Sequence, residues 1–193
     1  MLFILKDMIK CSKSKVCRES FSTNIKSCIL IVLLILFPLF GFCQVWTEVS
    51  NFIGDGRHHP ITFGNDDYGF VFSGSNLDDA YKYDKVNDTW IQLQDIPFIG
   101  RGYAYGVSIG NKAYMGFGST SNGSYPTDWW EYDMDNDSWN QKSSFPLIIG
   151  RQHPAMVVVN NKIYMGCGGN SSGNLGDWWE YDVSNDSWSQ KSD

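Results

Sequence analysis

One block of sequence occurs three times. Arg57, Arg101 and Arg151 each precede Gly74, Gly118 and Gly168 by 17 positions, and Tyr83, Tyr132 and Tyr181 each precede Trp90, Trp139 and Trp188 by seven. Two rigid spacings flank a glycine-to-tyrosine gap of 9, 14 and 13 residues, so insertions fall between two halves of fixed length, where a surface loop belongs. A repeat near 50 residues narrows the folds open to the chain more than any other feature of it.

Within each copy the pattern is that of short strands. AMVVVN, NKIYMGCGG, DWWEYD and DSWSQK are separated by Asn, Asp and Gly, and no helical periodicity competes over residues 44 to 193. Four short strands per repeat predict propeller blades. The markers suit that role: glycine permits a tight turn where blades converge, and Tyr and Trp fill the wedge between sheets.

The apolar strand ending in glycine, followed by a Tyr and a Trp with six residues between them, resembles the Kelch repeat over residues 46 to 193, in the form found in secreted bacterial proteins. Only the third copy has the full doublet, Gly168-Gly169; Ser75 and Ser119 take the second place in the others. The resemblance implies an all-β fold of three four-stranded antiparallel blades at about 56–95, 100–144 and 150–192. Trp46 lies eleven residues before Arg57, as Trp90 does before Arg101, and predicts an orphan outer strand with no blade ahead of it. Propellers close with about 4 to 8 blades, so the expectation is an open or partial propeller. It is completed either by further chain or by association of copies through open blade edges.

Residues 1 to 43 differ from the rest. Lys6, Lys10, Lys13, Lys15, Arg18 and Lys26 precede the apolar run CILIVLLILFPLFGF, whose 14 residues from Ile29 to Phe42 are fewer than the roughly 20 of a membrane-crossing helix and are interrupted by Pro38. The segment reads as a signal peptide ahead of a domain at 44–193, which predicts a secreted, periplasmic or cell-surface protein that touches membrane only if the signal stays uncleaved. Residues 44 to 193 then carry nine basic and nineteen acidic side chains, a net charge of −10, which disfavours nucleic acid as a partner. Of five cysteines only Cys167 lies beyond residue 43, so neither a disulfide framework nor a cysteine zinc site can form within that part of the chain.

Several clusters invite a chemical reading. Asp133, Asp135 and Asp137 alternate as in a calcium loop, but that motif's glycine and closing glutamate are missing, and what repeats across the copies suits a turn between the third and fourth strands. Trp129-Trp130 and Trp178-Trp179 could stack on sugars; strand alternation instead sends one to each face of a blade, into the core. The arginines enter the innermost strand of each copy and are expected to ring one mouth of the central channel. There Arg57, Arg101 and Arg151, with His59, His153, Tyr125, Asp128 and Asp177, form the candidate ligand face. The competing reading of the arginines is ion pairing within the repeat, to Glu131, Glu180 or backbone carbonyls. No metal or cofactor set is expected, and no Ser/His/Asp arrangement, phosphate loop or zinc spacing occurs.

Two functional classes follow from the resemblance. One is a non-enzymatic binding module for a protein or glycan partner, using loops 75–80, 119–128 and 170–177. The other is part of a sugar-acting Kelch enzyme, galactose oxidase-like or N-acetylneuraminate epimerase-like, whose site further blades would complete.

Overall fold

A computed structural model describes residues 46 to 191; the expected signal segment at 1 to 43 lies outside the described residues. Fourteen strands account for the regular structure among the described residues. The first sheet joins β1 (Ile61–Gly64), β2 (Tyr68–Phe72), β3 (Ala80–Asp84) and β4 (Thr89–Gln92); the second joins β5 (Tyr105–Ile109), β6 (Lys112–Gly116), β7 (Trp129–Asp133) and β8 (Ser138–Lys142). The third joins β9 (Ala155–Val159), β10 (Lys162–Gly166), β13 (Trp178–Asp182) and β14 (Ser187–Gln190), with β11 (Gly169–Asn170) and β12 (Gly173–Asn174) forming a ribbon inside its long loop. Every pairing is antiparallel, and within each four-stranded sheet the strands follow chain order, with only the β11–β12 ribbon set between β10 and β13, which makes three up-and-down propeller blades in an open array.

The rigid spacings are hairpins. Tyr83 pairs across strands with Trp90, Tyr132 with Trp139 and Tyr181 with Trp188, so seven residues is what one tight turn needs to set the two rings side by side on one face. In each turn the first Asp accepts from the backbone two and three residues on, as Asp133 does from Asp135 and Asn136, and the second accepts from the tyrosine hydroxyl. The expected turn is present, and among the described residues no group of three or more His, Cys, Asp or Glu side chains is placed to hold a metal ion. The 17-residue spacing is the hairpin of the two inner strands, which brings the chain back beside its own arginine.

The core lies between blades. Ile61, Phe70, Phe72 and Ala80 of the first blade bury against Ala113, Met115 and Tyr132 of the second, with Trp139 packed on them. Tyr114, Phe117 and Trp129 of the second bury against Ile163, Met165, Trp179 and Tyr181 of the third, with Trp188 alongside. Each blade thus has a leading face, carrying its Tyr-Trp pair against the blade before, and a trailing face turned to the blade after. The tryptophan doublets divide as alternation requires: Trp129 packs into the trailing core and Trp130 against the leading one. Fully burying such side chains contributes roughly 1.5–3 kcal/mol apiece.

The glycine markers permit close approach. Gly74, Gly118 and Gly168 have φ of 89°, 87° and 79°, and a methyl group on Gly118 would stand 2.5 Å from the Gly102 carbonyl oxygen.

The orphan outer strand expected at Trp46 does not form. Residues 46 to 60 carry no strand, and Trp46 is 97% exposed. A fourth strand is held by hydrogen bonds to a third, and none lies beside this segment among the described residues. The segment instead caps the first blade: the Ser50 carbonyl accepts from the Trp90 indole at 3.2 Å, and Phe52 meets Tyr81 and Trp90 edge-on, each at 4.9 Å between ring centres. Ser143 and Phe145 repeat this arrangement on Trp188 and Trp179 of the third blade.

Candidate functional site

The arginines enter the inner strands as the spacing requires, but their guanidinium groups are turned inward. Arg57 forks onto Asp79 at 2.5 and 2.8 Å, Arg101 onto Asp128 at 2.7 and 2.9 Å, and Arg151 onto Asp177 at 2.8 and 2.7 Å. Each also donates to the carbonyl just before its repeat glycine, at Ser73, Phe117 or Cys167, and lies over a ring, of Phe52, Phe98 or Phe145. Arg101 and Arg151 are 1% and 0% exposed. These groups, proposed from sequence as a ligand face, spend their charge and donors on one another, because a planar fork and a carboxylate inside a packed blade satisfy each other with little left over.

The ion-pair partners differ from those the sequence suggested. Glu131 accepts from the Tyr114 hydroxyl at 2.8 Å, and Glu180 takes Lys162, Tyr164 and Lys191. Asp79, Asp128 and Asp177 stand instead at the start of each third strand, where the loop delivers them to the arginine. The carboxyls of Asp79 and Asp177 are held below the usual range chiefly by hydrogen bonds from Arg57 and Arg151. Burial pushes Asp128 the other way, and the bonds from Arg101 and from the Trp130 indole, at 2.9 Å, overcome it.

Two residues beyond each arginine the chain turns outward. His59, Tyr103 and His153 hold this place in the three blades, each with left-handed backbone, at φ of 52°, 60° and 52°. Their rings converge: His59 and Tyr103 are 4.2 Å apart between centres, Tyr103 and His153 4.5 Å, and His59 and His153 5.2 Å. His58 joins them, its Nδ1 3.0 Å from that of His59, so one of the two nitrogens carries the shared proton. The His153 amide donates to the Tyr103 carbonyl at 3.0 Å and ties the second turn to the third. The His59 imidazole is held below its usual range, first by partial desolvation and then by His153 and His58. Residue type does not single out Tyr103, because its copy lacks histidine; its common offset of two from the repeat arginine does.

Beside the cluster a cleft of about 160 Å³ opens between the inner strands of the first two blades, lined by His59, Pro60, Thr62, Ala104, Tyr105 and Gly106. The long loops flank the same mouth. Tyr125 is half-buried in the second loop, with its carbonyl accepting from Gly150, and Asn170 in the third donates to the Gly150 carbonyl at 2.9 Å.

No protein-family model and no curated protein sequence matches the chain. Among solved structures, that of YjhT is similar in fold, with a TM-score of 0.65 at 19% identity, over 76% of this chain and 54% of that one. The chain therefore spans about half the length of that neighbour, and together with the three antiparallel sheets the likeness shows a partial β-propeller.

Proposed function

We propose that this chain is a Kelch-type binding module acting outside the cytoplasm, and that it recognises a glycan through the mouth formed by His59, Tyr103 and His153. The observation carrying this reading is that three repeat-equivalent positions, one per blade, bring exposed or half-buried aromatic and imidazole rings together while the neighbouring arginines are tied down. The imidazoles and phenol of this cluster supply donors and acceptors for the hydroxyl groups of a sugar. The cleft at His59 is smaller than the ~300 Å³ of a small-molecule pocket, so it suits one substituent of a larger ligand. Tyr125 and the loops at 119–128 and 170–177 form the rim that would choose among glycans.

An immobilised glycan array probed with the purified chain tests this, with a pull-down from the producing cell's envelope in parallel. Selective glycan signals support the reading. Capture of a protein with a silent array points to the protein-binding form of the module, and silence in both rejects the assignment.

A further inference from the structure

The connections that carry the chain from one blade to the arginine of the next are pinned at equivalent points but differ in length. The Ile96 amide donates to the Asp78 carbonyl and the Phe145 amide to the Thr127 carbonyl, both at 2.8 Å, each just before the aspartate that pairs with the arginine of the blade being left. Arg101 follows its pinned point by five residues, and Arg151 follows its own by six. In the shorter connection the Ile99 carbonyl accepts from Arg101 Nε at 2.9 Å; the Asp55 carbonyl, likewise two residues before its arginine, accepts from Arg57 Nε at 3.1 Å. In the longer one Arg151 Nε is buried with no hydrogen-bond partner among the described residues, and Ile148 is 98% exposed. The same peptide unit is put to different use. The second blade spends the carbonyl of the 99–100 peptide on its arginine, and the third spends the N–H of the 149–150 peptide on the Tyr125 carbonyl, at 3.0 Å.

We infer that the peptide between Ile149 and Gly150 is a two-position switch shared by Arg151 and the rim loop at 119–128. In the position the structure holds, it secures the loop through Tyr125 and leaves a charged donor unpaired inside the blade. In the other it turns about its flanking Cα atoms, gives its carbonyl to Arg151 Nε as the second blade does, and releases Tyr125. A planar peptide turns as one piece, so the carbonyl gained by the arginine takes the N–H from the loop. Three features bring the two positions close in energy. The buried donor satisfied in one offsets the loop bond satisfied in the other. Glycine on the far side of the unit accepts the φ of either orientation. The extra residue supplies slack between fixed ends, since the next peptide is held by Asn170, which donates to the Gly150 carbonyl at 2.9 Å. A ligand resting on the rim favours whichever position suits the loop it touches, so an arginine outside the mouth helps set the mouth's affinity. That consequence rests on glycan recognition at the mouth, and the switch itself does not.

Nitrogen relaxation dispersion by NMR, on the purified chain without ligand, tests the switch. The expected result is one exchange process on the microsecond-to-millisecond scale that broadens the Gly150 amide and the Arg151 Nε–H together, while Gly100 and Arg101 Nε stay sharp. Removing Ile148 shortens the connection to the length of the second and is expected to fix the arginine-bound position. Hydrogen exchange at Arg151 Nε then slows roughly tenfold, and that at the Gly150 amide, released from Tyr125, quickens by about as much. Sharp signals at either Gly150 or Arg151 Nε in the unsubstituted chain overturn the inference, whether or not the deletion variant folds. So does a folded deletion variant in which both rates are unchanged. Neither measurement contains a glycan, so failure of the glycan reading leaves this result standing, and failure of the switch leaves that reading standing.

Discussion

The Arg151 guanidinium forks onto the Asp177 carboxylate, with Nη1 and Nη2 each within 2.8 Å of an oxygen, and two residues later His153 stands in the mouth of the blade array. Support and presentation are thus divided between adjacent positions of the same short segment, and the division recurs at Arg101 with Tyr103 and at Arg57 with His59.

Arg101→Gln is expected to destabilise the fold by about 3 kcal/mol, because Asp128 is left partly buried without its cation. Arg101→Lys recovers less than half of this, since a lysine makes one bond where the fork makes two. Urea unfolding followed by tryptophan fluorescence measures both.

The turn bonds predict a smaller effect. Tyr132 donates to Asp137 at 2.6 Å, and its hydroxyl is pushed to a higher pKa, first by burial and then by that carboxylate. Tyr132→Phe is expected to cost about 1 kcal/mol, whereas Phe72→Ala, which empties the wedge that Tyr132 and Trp139 fill, costs about 3–5 kcal/mol. The same unfolding curves order the two variants.

Gly118→Ala and Gly123→Ala both place a methyl group at positive φ, but only Gly118 has a backbone oxygen within reach of it. The first is expected to lower stability well beyond the second, which costs about 1 kcal/mol. Equal melting temperatures for the two variants would remove close packing at the glycine marker from the account.

Acid should unfold the protein over a defined window. Asp79, Asp128 and Asp177 are held below the ordinary aspartate range, and Glu180 falls to about 2, mainly through its bond from Lys162. A depressed carboxyl stabilises the fold above its unfolded pKa and loses that contribution as pH falls through the folded value. Through the carboxylates alone, melting temperature is therefore expected to hold from neutrality to about pH 4 and then drop steeply toward pH 2. His59, depressed in the folded state, adds a shallow loss beginning below about pH 6.5. A flat profile to pH 2 would contradict the buried pairs.

Much of this was legible in the sequence, and the reasons for what was not are local. The blades were readable because each spacing is a hairpin, and a hairpin fixes the distance between its markers whatever the loops do. The arginine partners were not readable, because strand alternation puts Glu131 and Glu180 on the trailing face while the aspartates sit at the strand start, a distinction of three residues that charge pattern alone does not make. Trp46 misled because a matching tryptophan predicts an outer strand only where a third strand stands beside it. Tyr103 is legible only by position, because a tyrosine in one copy and histidines in the other two share the offset from arginine and not the residue type.

Glycan recognition at the mouth is tested by the affinity of the Tyr103→Ala variant, set beside the unsubstituted chain, for the glycans that score on the array, read by calorimetry with melting temperature as the control. At least a tenfold loss of affinity is expected, with melting temperature unchanged within about 3 °C, because Tyr103 presents its ring at the mouth and lies outside both buried clusters. Undiminished affinity for the same glycans would contradict it.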